Sequence, residues 1–67
     1  MRIPSGEKGS ANYYAEMIQD GEMDFVVMQI CRKPQLCLTV MGIIEKYMDK
    51  DKALYFAMKI IKTIEEE

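Results

Sequence analysis

The chain has few side chains able to carry chemistry. It has two cysteines, Cys31 and Cys37, and no histidine. A cysteine nucleophile usually needs a base beside it, so the lack of histidine removes the Cys–His and Ser–His solutions. The cysteine spacing is not the C-x-x-C of redox motifs. A closed zinc site needs about four Cys or His ligands, which this chain does not have. Both cysteines sit among apolar neighbours and read as small buried hydrophobes. A disulfide across Arg32 to Leu36 is the competing reading.

The carboxylates Asp20, Glu22 and Asp24 gather around Gly21. Paired carboxylates do acid–base work when a pocket raises one pKa, and acidic loops hold calcium when their ligands follow a twelve-residue pattern. Asp20 to Asp24 lacks that pattern, and helix capping and solvation account for these residues. Ser5-Gly6-Glu7-Lys8-Gly9-Ser10 lacks the G-x-x-x-x-G-K-[ST] spacing and the preceding strand of a phosphate loop, so it reads as a linker. The expectation is a non-enzymatic chain with no metal and no cofactor.

Lysines supply the remaining chemistry. Lys52, Lys59 and Lys62 fall on one side of the last predicted helix, and Arg32 and Lys33 form a small basic corner. The last two helices could imitate a helix-turn-helix. However, the formal charge is −2 with a pI near 5.1, and that helix has no Arg, Asn or Gln for bidentate base contacts. Binding to a phosphate backbone depends on clustered cations, so a solvated lysine stripe is the simpler explanation. A small DNA-binding transcriptional regulator stands as the alternative reading.

Sixty-seven residues make one domain, and a chain of this size buries only about 60% of its unfolded surface. Hydrophobic residues are 49% of the total, at the high end for a soluble domain. Disulfides and metals are the usual reinforcements for such chains and are not expected here, which leaves burial against a partner. Met17, Met23, Met28, Met41, Met48 and Met58 suit either an adaptable binding surface or an irregular core. Met1 to Gly6 holds no apolar run resembling a leader peptide, and no stretch of about 18 apolar residues could span a membrane. With few cysteines, a cytoplasmic chain with reduced thiols is expected.

These residues are positioned by elements that can be read from spacing. Residues 1–9, with Pro4, Gly6 and Gly9, read as a flexible arm, and residues 10–67 as the domain. Ser10 is a candidate N-cap for a helix over Ala11 to Asp20, ended by Gly21. Met23 to Cys31 is apolar on nearly every side; it reads as a buried helix, although its β-branched residues permit a strand. Pro34 suits the first turn of the next helix. Leu36, Val40, Ile43, Ile44 and Tyr47 then share one face of it, flanked by Cys37, Met41 and Met48. Leu38 projects from the polar side, with Gly42 one turn beyond. Asp51 to Ile64 forms the last helix, with Ala53, Leu54, Ala57, Met58, Ile60, Ile61 and Ile64 as its stripe and Tyr55 and Phe56 at the margins.

Carried through Asp49 to Lys52, the apolar stripe rotates by about 120°. A straight rod could not bury both halves against one neighbour, so a turn capped by Asp49 or Asp51 is expected there. The predicted architecture is all-α: three or four short helices closed by an antiparallel αα-hairpin from Pro34 to Ile64. The competing fold is α+β with a central β-hairpin at 25–41, pairing Phe25 to Cys31 with Leu36 to Met41. The predicted function is protein binding, as a small adaptor or inhibitor-like regulator that self-associates as a homodimer or higher oligomer. Phe25, Leu38, Ile44, Tyr47, Phe56 and Ile60 are the predicted contact residues, with lysines and glutamates at the rim.

Overall fold

Ser10 adopts an extended backbone, and its hydroxyl accepts a hydrogen bond from the Tyr13 amide at 3.2 Å, so the first helix starts where the sequence places it. The computed structural model describes all residues, Met1–Glu67, and contains four helices and no strand. They are α1 (Ala11–Gln19), α2 (Met23–Ile30), α3 (Pro34–Tyr47) and α4 (Lys50–Glu65). Helix α1 ends in a Schellman turn: Gly21 takes a φ of 92°, and the Glu22 amide donates to the Met17 carbonyl at 2.9 Å. The fold is all-α, and the β-hairpin at 25–41 is not formed. On α2, Val26, Val27 and Ile30 are buried together. A strand would have sent the neighbours Val26 and Val27 to opposite faces.

Pro34 opens α3 in its first turn. The chain reverses at Met48–Asp49, where Asp49 caps α4 by accepting from the Lys52 amide at 2.6 Å. The reversal lays Leu38, Met41 and Gly42 of α3 beside Ala53 and Leu54 of α4, giving the C-terminal hairpin. Helices α1 and α4 each pack on α2 and α3 but do not touch one another. The core lies between them, with Ile30, Ile44 and Phe56 among its fully enclosed side chains. Cys31 and Cys37 are buried with free thiols, and the Cys37 thiol donates at 3.0 Å to the Ile30 carbonyl, which also accepts from the Lys33 amide at 2.9 Å. The radius of gyration is 10.7 Å, close to the roughly 11 Å of a fully packed chain of this length.

Residues 1–9, read from composition as a flexible arm, lie packed along α1 in the structure. Ile3 is only 1% exposed and joins the core. Its amide donates to Gln19 Oε1 at 2.9 Å, and Gln19 Nε2 donates to the Met1 carbonyl at 3.0 Å. Arg2 pairs with Asp20 at 2.7 Å, and Ser5 donates to Glu16 at 3.1 Å. One apolar anchor and a row of polar contacts along α1 hold the segment down. Gly6 permits this approach: a Cβ there would lie 2.5 Å from Ser10 Oγ and 2.8 Å from Asn12 Cβ.

Candidate protein-interaction face

Helix α4 carries apolar residues on two sides. One side holds Ala53, Phe56 and Ile60, all buried. The other holds Leu54, Met58 and Ile61, which are 49%, 66% and 56% exposed. These three follow i, i+4, i+7 spacing and so stack along one stripe of the helix. Across the groove from Leu54, α3 contributes Leu38, which is 60% exposed, and Gly42, where a Cβ would meet open space. Single exposed apolar residues are ordinary. Contiguous exposed apolar patches larger than a few hundred Å² are the kind of surface that marks an interaction site.

The six contact residues expected from sequence separate into two groups. Phe25 and Leu38 are exposed, and Tyr47 is half-buried beside Lys46, whose ammonium lies 5.4 Å from its ring centre. Ile44, Phe56 and Ile60 are core residues and cannot meet a partner in this conformation. The correction has a geometric cause. The apolar arc of α4 runs from Phe56 round to Met58, about 200° at 100° per residue. A helix on the edge of a small domain needs an arc of only about 100°. The packing of α2 and α3 selects the Phe56 side, which leaves Leu54, Met58 and Ile61 outside. The excess width of the arc was the signal in the sequence. Phe25 lies apart, with Met28 on the outer side of α2. Met28 shares a shallow depression with Lys59 and Lys62.

Charged residues frame the face. Lys59 pairs with Asp24 of α2 and sits 5.5 Å from the Tyr55 ring centre. The hydrogen bond to Asp24 raises the Lys59 pKa above its ordinary value, opposed in part by desolvation and aided by the carboxylate charge and by Tyr55. One of the three lysines of the DNA-binding alternative is therefore committed to a partner within the chain. Arg32 pairs with Glu67, tying the end of α4 to the α2–α3 connection. Lys50 and Glu65, at the two ends of the outer stripe, take part in none of the chain's four ion pairs.

The rest of the surface offers little to a small molecule. The depressions are shallow, about 300 Å³ or less, and each is lined by at most seven residues. No group of three or more His, Cys, Asp or Glu side chains converges as metal ligands. No helix is long and apolar enough to cross a membrane. In comparisons with known proteins, no family model, no curated protein and no solved structure matches the chain.

Proposed function

We propose that this chain is a small non-enzymatic protein-interaction module, an adaptor or inhibitor-like regulator that self-associates through the outer side of the α3–α4 hairpin. The observation behind this reading is the stripe of Leu54, Met58 and Ile61, continued by Leu38. It is left over after the domain has closed its own core around Phe56 and Ile44. Burial of such a stripe is favourable at about 25 cal/mol per Å² of apolar area before the costs of association are deducted.

Sedimentation equilibrium from about 5 to 500 μM tests the proposal, a range that brackets the affinity of a small interface. The wild-type chain is expected to move from monomer toward dimer with rising concentration. Met58→Lys is expected to stay monomeric while keeping its helical circular dichroism. A wild-type chain that remains monomeric throughout would overturn the self-association reading.

A further inference from the structure

The outer stripe of α4 reads the same from both ends. Lys50 and Glu65 lie equally far in sequence from the midpoint between Ala57 and Met58, and so do Leu54 and Ile61. At 100° per residue all six positions fall within about 100° of one another on the helix. A two-fold interface requires that when residue i meets residue j, residue j also meets residue i. This pattern meets that condition if two copies of α4 lie antiparallel. Leu54 then faces Ile61, the small Ala57 receives the long Met58, and Lys50 faces Glu65, with each contact made twice.

We infer that a second copy of this chain docks on this stripe, with the two α4 helices antiparallel about a two-fold axis between Ala57 and Met58. The inference rests on the self-association reading and adds to it the register and the direction. Charge supports the direction. A parallel pair would set Lys50 against Lys50 and Glu65 against Glu65, whereas the antiparallel pair matches each cation with an anion. Glu65 lies at the negative end of its own helix dipole, an unfavourable position in an isolated helix. The Lys50 end of the second α4 supplies the countercharge there. With 16 residues, α4 offers a contact line of about 24 Å. The stripe alone is smaller than the roughly 800 Å² per partner of a standard interface, so the dimer belongs to the weak class, with a dissociation constant on the order of micromolar.

Charge reversal tests the register. Lys50→Glu and Glu65→Lys each replace the two matched pairs with two like-charge pairs. Both substitutions suit the dipole of α4, so a loss of association cannot be assigned to a damaged helix. At low ionic strength, where screening is least, each single variant is expected to raise the dimer dissociation constant by roughly three- to tenfold. The double variant Lys50→Glu/Glu65→Lys is expected to return it to the wild-type value. If the wild-type chain dimerises and Met58→Lys abolishes dimerisation, but the double variant is no tighter than the singles, the antiparallel register is overturned while the interaction face stands. A wild-type chain that never dimerises removes both.

Discussion

Phe56 and Met58 are two residues apart on α4 and face opposite ways: Phe56 is fully enclosed, whereas Met58 is 66% exposed. One helix thus presents an aromatic to the core and a flexible thioether to the outside. Substituting the two residues separates folding from association.

Phe56→Ala is expected to destabilise the domain by about 3–5 kcal/mol. That is comparable with the whole stability of a chain this size, about 3–10 kcal/mol, so the variant should be largely unfolded at room temperature. Met58→Lys should change stability by no more than about 0.5 kcal/mol, as for other exposed sites. Urea denaturation at a concentration where the wild-type chain is monomeric checks both.

The N-terminal segment is predicted to be part of the cooperative unit. Ile3→Ala should cost about 2–4 kcal/mol by emptying a core position. Gly6→Ala should cost about 1–3 kcal/mol, because its methyl group meets Ser10 and Asn12. Gly42→Ala is the control. Open space surrounds its Cβ position on α3, so alanine should stabilise the monomer by about 0.5–1 kcal/mol. Thermal melts of the three variants against the wild-type chain give the comparison.

Asp49 holds the hairpin turn. Asp49→Ala leaves the Lys52 amide without its partner and should cost about 1 kcal/mol, lowering Tm by about 4–8 °C. Asp49→Ser should recover most of the loss, because serine also caps.

Burial pushes the Cys37 thiol above its ordinary pKa of 9.0, and the neighbouring Cys31 adds to the shift. The folded chain therefore keeps its proton to higher pH than the unfolded chain. The resulting stability is fully present below the unfolded value and is lost as pH rises through the folded one. The urea midpoint should hold between about pH 7 and 8 and decline above about 9, with a shallower decline in Cys37→Ala. A Cys37→Ala decline as steep as that of the wild-type chain would assign the pH dependence to other groups.

Much of this fold can be read from short-range signals. Ser10, Gly21, Pro34 and Asp49 each mark a helix boundary by a local mechanism, and the phase break around Asp49 announces the hairpin. The nature of α2 was less legible, because Val26, Val27 and Ile30 suit either a buried helix or a strand. Only the packing of α2 against α1 and α4 decides it. Ile3 gave no signal, being a single apolar residue among glycine, proline and charge with no period to detect.

The candidate face was half legible. Leu38 stood out because it broke the pattern of α3, and it is exposed as that break implies. On α4 the sequence displays one wide apolar arc and does not say which edge turns inward. That choice belongs to the neighbouring helices, so Phe56 and Ile60 were expected at a partner surface and are found in the core. Leu54, Met58 and Ile61 share the apolar stripe with Ile60 in the sequence and lie on its outer side in the structure.

Methyl NMR spectra recorded over a dilution series test the central claim most directly, since they report where association occurs as well as whether it does. The methyl signals of Leu54, Met58 and Ile61 are expected to shift together with concentration, while those of Ile30 and Ile44 stay fixed. Signals that are independent of concentration throughout, or shifts confined to the Met28 methyl on α2, would contradict the account.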